Sequence, residues 1–381
     1  MIHSYNRFVS PLGMFSLIGA GIFFLATPSA ETAPAPKPAP SLHPKVSAME
    51  LPMGPFIRLK NGDILTVDET SARLSKDEGK TWESHPIFPA GKDFSIRRER
   101  VLIETRDGAI VLAFVNDKER VWKWNKQTSD ADEGTKLPTY TVRSLDGGKT
   151  WQDLQKLHDD WTGAIRDIIQ TKDGTVVFTS MMILHNPGRH ATVTYASKDD
   201  GATWRRSNLL DLGGKGHHDG AMEAAIEQLK DGRIWMLIRT NYGKFWEAFS
   251  EDDGISWRIL QPSKIDASSA PALLKRVKSG NLILVWNRLL PEGATDFPRI
   301  GGDGQFSELP TINHRQELSV AFSADDGKTW SKPQVIATAP EGKARDVSYP
   351  YLFEVKPGQF WLTTMRGGLT AEFNEKDFLV P

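Results

Sequence analysis

The sequence predicts an all-β fold, a six-bladed β-propeller, and three features of its 381 residues support this prediction. One eight-residue motif recurs five times, a motif that joins a Gly turn to an apolar strand recurs six times, and helical periodicity is almost absent. Such repeats favour a propeller because each sheet buries its faces against its neighbours around a central axis.

The eight-residue motif is Ser-x-Asp-x-Gly-x-Thr/Ser-Trp, and it is typical of a hairpin turn. Its Ser and Asp side chains can bond backbone N–H groups, its Gly tolerates positive φ, and its Trp can pack between sheets. Successive copies start 69, 53, 53 and 73 residues apart, which suits one four-stranded sheet with its loops. We therefore expect a structural role for all five copies, at 75–82, 144–151, 197–204, 250–257 and 323–330.

The second motif predicts one buried strand in each blade, because a short apolar run bounded by turn residues is typical of such strands. The last copy is not followed by the eight-residue motif, so we expect strands from both chain ends to close the sixth blade. The six copies lie at 61–67, 107–115, 173–181, 231–239, 279–287 and 357–365.

The N-terminus predicts export. Residues 12–26 form an uncharged apolar run that is short for a membrane span and suits the core of a signal peptide. We expect a signal peptide at 1–30, a Pro/Ala-rich linker at 31–50 and the propeller at 51–381. This organisation predicts a periplasmic or secreted protein with no stable membrane span after processing, the alternative being an uncleaved N-terminal anchor.

Composition excludes several classes of function. Lys and Arg number 47 against 48 Asp and Glu, so no basic excess is present to bind nucleic acid. The absence of Cys excludes disulfides, thiolate metal sites and cysteine nucleophiles. Neither a phosphate-binding loop nor a metal motif is visible, so we expect no cofactor and no metal, and we expect a monomer.

The recurrent eight-residue motif resembles the Asp box of the sialidase (neuraminidase) superfamily of six-bladed propellers, over roughly residues 51–381. Asp boxes also occur in propellers that only bind, so function must be argued from the site. The resemblance implies a retaining exo-α-sialidase that releases terminal sialic acid. In such enzymes arginines bind the substrate carboxylate, a Tyr attacks with a Glu as its base, and an Asp protonates the leaving oxygen.

Glu223 and Arg239 match the family positions eight residues before an Asp-Gly turn and at the end of the strand that follows it. Tyr349 matches the nucleophile position, nine residues before Gly358, although Pro350 stands where the family usually has Ser. The resemblance thus implies that Tyr349 is the nucleophile and Glu223 its base. Glu227 and Tyr351 are the neighbouring alternatives.

Two further arginines match less fully. Arg315 lies eight residues before the box Ser323, where the family has an Arg on the preceding strand. Arg98 lies nine residues before Asp107, as in the family's Arg-Ile-Pro segment, but Glu99 and Arg100 follow it instead of Ile-Pro. The resemblance implies that Arg98, Arg239 and Arg315 bind the carboxylate, with the register of the first of these left open.

The implied acid/base lies in the loop 117–137, where Asp132 and Asp130 are the candidates. Trp124 and Trp122 in the same loop are candidates for stacking on a sugar ring. A flexible acidic loop with buried tryptophans is the alternative interpretation of this segment.

Residues 216–220, Gly-His-His-Asp-Gly, do not belong to the family pattern. Adjacent histidines seldom bind one metal together, so a metal site is not expected here. His217 or His218 instead suggests a second hypothesis, in which the protein is a glycosidase or lyase that acts on another acidic or deoxy-sugar through a histidine. His185 and His190 are further candidates for such a site. A third hypothesis is a propeller that binds glycans without catalysis.

Overall fold

The computed structural model describes residues 39–379 and confirms the six-bladed β-propeller, with six antiparallel sheets in chain order. The expected signal peptide lies outside the described residues. Within them the helical segments are the short 3-10 turns Asp117–Glu119, Ala344–Val347 and Glu375–Asp377. Over the same range, none of the helices has the length and apolar character needed to span a membrane.

Blades 1 to 3 each contain four strands in chain order, numbered here from the central axis outwards. Blade 1 is Phe56–Arg58, Ile64–Val67, Ser71–Ser75 and Glu83–Pro86. Blade 2 is Val101–Glu104, Ile110–Val115, Thr139–Ser144 and Gln152–His158. Blade 3 is Ile168–Gln170, Val176–Leu184, Arg189–Ser197 and Arg205–Arg206.

Blades 4 to 6 continue the pattern. Blade 4 is Ala224–Gln228, Ile234–Ile238, Lys244–Ser250 and Arg258–Asp266. Blade 5 is Leu273–Arg276, Leu282–Trp286, Glu317–Ser323 and Gln334–Thr338. Blade 6 contributes Pro350–Lys356, Gln359–Thr364 and Thr370–Asn374. Two small hairpins lie in the loops, Trp124–Asn125 with Asp130–Ala131 and Arg299–Gly301 with Pro310–Ile312.

Both chain ends close the ring. Val46–Ala48 pairs with Thr370–Asn374 and becomes the fourth strand of blade 6, as the missing last box predicts. Ser41–Leu42 adds a fifth strand to blade 5 by pairing with Gln334–Thr338. The propeller therefore begins before residue 51, the boundary expected from composition.

The hydrophobic core lies between the blades, and the second strands fill it. Every residue of Ile110–Val115, Ile234–Ile238 and Leu282–Trp286 is buried, which is what an apolar strand after a Gly turn predicts. One cluster joins Leu237 of blade 4 to Leu284 of blade 5 across their interface. Because each blade buries both faces, its core strands are continuous apolar runs.

The Asp boxes are closed hydrogen-bonded turns. In the first box the Ser75 Oγ accepts a bond from the Gly79 N–H at 2.8 Å, and Asp77 accepts bonds from the N–H and hydroxyl of Thr81 at 2.9 and 2.6 Å. The Ser-to-Gly and Asp-to-Thr/Ser bonds recur in the other four boxes. The Ser and Asp side chains of each box are thus bonded within the turn itself.

Candidate functional site

A polar cavity of about 370 Å³ opens at the axis on one face of the propeller. Most of its lining residues come from the segments that enter the first strand or leave the second strand of a blade. Antiparallel neighbours place these two kinds of segment at the same edge of each sheet. The topology therefore brings together side chains that are far apart in the chain.

Tyr349, Glu223 and Arg239 form a buried hydrogen-bonded triad in this cavity. The Tyr349 hydroxyl donates to Glu223 Oε1 at 2.7 Å. Arg239 Nη1 donates to Glu223 Oε2 at 2.9 Å and to the Tyr349 hydroxyl oxygen at 3.1 Å. A carboxylate that accepts the phenolic proton is placed to remove it, and the guanidinium is placed to stabilise the phenolate that results.

Local backbone geometry aims these three side chains at one another. Glu223 directly precedes the first strand of blade 4, and Arg239 directly follows the second strand. The Arg239 N–H donates to the Glu223 carbonyl at 2.9 Å, which extends the strand pairing by one step and makes the two residues cross-strand neighbours. Tyr349 precedes the first strand of blade 6 with φ at 61°, an unusual value for a residue other than Gly.

The charges in the triad agree with these roles. Burial raises the pKa of Glu223, but the Arg239 charge and the Tyr349 hydroxyl outweigh burial and bring the pKa to about 2. Burial and the nearby Glu223 charge both raise the pKa of Tyr349. The resting state is therefore a neutral phenol beside an ionised carboxylate, and the Tyr can react only as it gives up its proton.

Arg315 lies beside the triad. Its guanidinium carbon is 5.2 Å from the centre of the Tyr349 ring, and its Nη2 donates to the Ser269 carbonyl at 2.7 Å. Burial lowers the pKa of Arg315 to about 10, so the side chain stays cationic near neutral pH. Arg239 and Arg315 therefore bring two charged guanidinium groups to the same wall of the cavity.

The structure places Arg97, and not Arg98, in the cavity. Arg97 lines it and donates from Nε to Glu99 Oε2 at 2.8 Å, whereas Arg98 is exposed and borders neighbouring grooves. Arg100 is buried behind this segment. Because successive side chains in extended backbone point in opposite directions, a register error of one residue exchanges the inward and outward arginines.

Neither expected aspartate reaches the cavity. Asp130 accepts bonds from the Asn186 N–H at 2.8 Å and contacts His185 Nδ1 at 2.9 Å, which ties two loops together. Asp132 is exposed and accepts a bond from Asn125 Nδ2 at 3.1 Å. Among residues 39–379 no aspartate lines the cavity, and its carboxylates are Glu99 and Glu223.

Trp124 also lies outside the cavity lining, where it stacks behind Trp122 and donates from Nε1 to Gln305 at 3.0 Å. Trp122 and Trp161 line the cavity instead. His190, His217 and His218 line it too, whereas His185 does not. Tyr351 donates to the Arg98 carbonyl at 2.6 Å and does not contact Glu223, and Glu227 accepts a bond from the Arg276 N–H.

Three arginines of the cavity were not predicted from the sequence. Arg120, Arg345 and Arg366 line the cavity and are exposed, so six arginines there face two glutamates. They lie outside the copies of the repeats, where neither motif predicts a side chain that faces the cavity. The excess of guanidinium groups makes the cavity complementary to an anionic ligand. Across residues 39–379, no group of three or more His, Asp or Glu side chains is arranged to hold a metal ion.

Comparison with known proteins gives a family and a fold. A family model described as the BNR repeat-like domain matches residues 95–362. A sialidase of Bacteroides fragilis (strain YCH46) is 25% identical over 282 residues, with 68% of this chain and 47% of that protein covered. A sialidase of Micromonospora viridifaciens is 24% identical over 335 residues, with 80% and 48% covered. The chain spans about half the length of these curated relatives.

Solved structures show the same fold at low identity. A protein of unknown function from Dyadobacter fermentans DSM 18053 has a TM-score of 0.59 at 16% identity, with 88% of this chain and 98% of that chain covered. The Hadza microbial sialidase Hz136 has a TM-score of 0.58 at 17% identity, with 85% and 65% covered. Both likenesses concern the propeller alone.

Proposed function

The chain belongs to the BNR repeat-like domain family, and from this premise we propose that it is a retaining exo-α-sialidase that releases terminal sialic acid from glycoconjugates. The observation that carries the proposal is the 2.7 Å bond from the Tyr349 hydroxyl to Glu223 beneath a cluster of arginines. A neutral nucleophile suits a substrate with a carboxylate on its anomeric carbon, because an anionic nucleophile would be repelled by that group.

The arginines supply the proposed carboxylate site. Arg239 bonds to the Tyr349 hydroxyl, Arg315 lies against the Tyr349 ring, and Arg97 takes the place expected for Arg98. Guanidinium groups bind carboxylates through paired hydrogen bonds, which orients the sugar as well as attracting it. A cavity of about 370 Å³ falls in the range of small-ligand sites.

In the proposed first step, Tyr349 Oη bonds to the anomeric carbon while its proton moves to Glu223. The bond to the leaving oxygen breaks, and that oxygen takes up a proton delivered from solvent. Arg239 stabilises the negative charge that develops on the phenolic oxygen. In the second step, water attacks the same carbon and the bond to Tyr349 Oη breaks. Tyr349 recovers its proton from Glu223, and the proton lost by the attacking water passes to solvent. Two displacements at one centre give net retention.

The substrate is proposed to be a sialylated glycan met outside the cytoplasm. This location rests on the signal-like residues 1–30, and no cofactor takes part in the proposed steps.

Hydrolysis of a fluorogenic aryl α-sialoside tests the proposal. We expect turnover by the native chain and a loss of at least about 1,000-fold for Tyr349→Phe, which keeps the ring and removes the attacking oxygen. Tyr351→Phe is the matched control, since this buried Tyr does not contact Glu223. Absence of turnover by the native chain, or full activity in Tyr349→Phe, would contradict the proposal.

One observation favours a second candidate. The cavity contains His217 and His218 but no aspartate among the described residues, and this suits a glycosidase or lyase acting on another acidic sugar. Turnover of a uronic acid glycoside without turnover of the sialoside would favour this candidate.

A further inference from the structure

We propose that His217 and His218 form a proton relay that protonates the leaving oxygen and then accepts a proton from the attacking water. This inference rests on the proposed function and assigns to the pair the role expected for Asp132 or Asp130. It starts from the loop 216–220, which the Tyr349–Glu223–Arg239 triad leaves without a role.

The loop is built to present two histidines. Gly216 adopts φ of 141°, and a Cβ there would lie 2.5 Å from the Phe306 carbonyl oxygen. Gly220 adopts φ of 89°, and a Cβ there would overlap the His190 carbonyl. Both ends of the loop therefore require Gly, and both press against neighbouring backbone.

The Asp219 side chain anchors the same loop through hydrogen bonds. This buried carboxylate accepts bonds from the Gly220 N–H at 2.9 Å, the Glu308 N–H at 2.8 Å and the Lys215 N–H at 3.1 Å. The backbone N–H groups of both histidines donate to the segment 305–306. The main chain is thus fully bonded, and the two imidazoles are left to face the cavity.

The imidazoles contact each other through their Nδ1 atoms. Such a contact requires one Nδ1–H donor and one Nδ1 acceptor, so a neutral pair has one Nε2–H and one Nε2 lone pair. Burial lowers the pKa of both rings, that of His218 to about 2, which keeps the pair neutral. Neither Nε2 has a protein partner among the described residues, and neither is sealed from solvent.

The position of the pair fits transfer to a leaving group. His218 is close enough to the Arg239 and Glu223 charges for both to act on its pKa. Its ring stacks on Phe306 with centroids 4.8 Å apart, and Trp122 lies edge-on to His217. Glu223 is bonded to Tyr349, Glu99 to Arg97 and the His190 Nε2 to the His217 carbonyl, and the His190 Nδ1 is sealed from solvent. Among the described cavity residues, His217 and His218 are therefore the imidazoles with a ring nitrogen open to a ligand.

The relay balances without a net charge on the pair. As the glycosidic bond breaks, one Nε2–H gives its proton to the leaving oxygen, the shared proton crosses between the Nδ1 atoms, and the second Nε2 takes a proton from solvent water. During hydrolysis of the glycosyl-enzyme, the attacking water gives its proton to the free Nε2 lone pair. The shared proton then crosses back, and the other Nε2–H returns a proton to solvent.

Two substrates that differ in leaving group test the relay. An alcohol leaving group, as in sialyllactose, needs protonation, whereas 4-nitrophenolate does not. We expect His217→Ala and His218→Ala to lose about 100-fold or more in kcat/KM on sialyllactose and less than about 10-fold on 4-nitrophenyl α-sialoside. His185→Ala, outside the cavity, is the control and should match the native chain on both.

Equal losses on both substrates would assign the pair a structural role and overturn the relay, as would unchanged activity. NMR of 15N-histidine-labelled protein gives a readout that does not depend on turnover. The expected result is one protonated and one unprotonated Nδ1 joined by a hydrogen bond, with this signature lost in His217→Ala. Its absence in an active native protein overturns the relay alone. Inactivity of the native chain on both substrates overturns the proposed function, and the relay with it.

Discussion

Tyr349 has a strained backbone conformation. Its φ of 61° lies in the left-handed region, which costs a bulky L-residue on the order of 1–2 kcal/mol. The surroundings that maintain it include the Met365 N–H, which donates to the Tyr349 carbonyl at 3.2 Å, and the Arg166 guanidinium, 5.2 Å from the ring centre. Backbone strain of this kind persists only where tertiary contacts impose it, and it occurs mostly at functional sites.

Because of this strain, we expect replacement of Tyr349 by Gly to destabilise the protein less than replacement by Ala, which reverses the usual order. Tyr349→Gly and Tyr349→Ala both delete the ring, but only Gly accepts the left-handed backbone without cost. We expect Tyr349→Gly to exceed Tyr349→Ala by about 1 kcal/mol in the free energy of unfolding, measured by urea denaturation. An Ala variant as stable as the Gly variant, or more so, would show that the residue is relaxed.

The positions of site residues could be predicted from the sequence where these residues lie at a fixed distance from a repeat. Glu223, Arg239, Arg315 and Tyr349 lie at fixed offsets from a Gly turn or a box, and the structure brings all four into one cavity. Arg98 was placed one residue from the Arg that does line the cavity. Asp130, Asp132 and Trp124 lie in a long loop, where tertiary contacts rather than periodicity decide which side chains face the axis.

At the scale of the element, the Asp box both ends a hairpin and joins two blades. The Gly of each box lies against the second strand of the blade before it. Gly254 of blade 4 contacts Val177 of blade 3, and Gly327 of blade 5 contacts Trp235 of blade 4. The residue preceding Gly also adopts positive φ, as at Asp253 and Asp326, a conformation that the sequence did not predict. The motif therefore predicted the hydrogen-bonded turn, but it did not predict the contact between the box and the preceding blade.

Gly327→Ala tests the contact between blades against a matched Gly. Gly327 has φ of 81° and a Cβ there would overlap the Trp235 ring, whereas Gly280 has φ of 91° and open space around it. Both Ala variants incur the backbone cost, and only Gly327→Ala adds crowding, which typically costs about 1–3 kcal/mol. We expect Gly327→Ala to have the lower free energy of unfolding of the two. Equal losses would show that Trp235 moves aside freely.

At the scale of the whole molecule, the cavity exists only when the ring is closed. Its residues run from Arg97 to Arg366 and come from most of the blades. Tyr349 belongs to blade 6, which is completed by the strand Val46–Ala48 from the other end of the chain. The repeats predicted this closure because the last of them lacks a box, whereas composition alone suggested a linker up to residue 50.

Substitutions at two adjacent residues of the closing strand are expected to have different effects on the free energy of unfolding. Val46 is buried in the cluster that joins blades 5 and 6, with Leu318 and Phe373 among its members, whereas Ser47, the next residue of the strand, is exposed. Val46→Asp places a charge in that cluster and removes apolar area, so we expect a loss of about 3 kcal/mol or more in the free energy of unfolding.

Ser47→Asp is expected to change this free energy by less than about 0.5 kcal/mol, since its side chain points to solvent. Because blade 6 carries Tyr349, Val46→Asp should also lower turnover of the aryl α-sialoside near its melting temperature, while Ser47→Asp should not. Calorimetry and the sialoside assay over the same range of temperatures measure both effects. Equal melting temperatures for the two variants would mean that the ring holds its shape without the N-terminal strand, and that the three remaining strands of blade 6 suffice to position Tyr349.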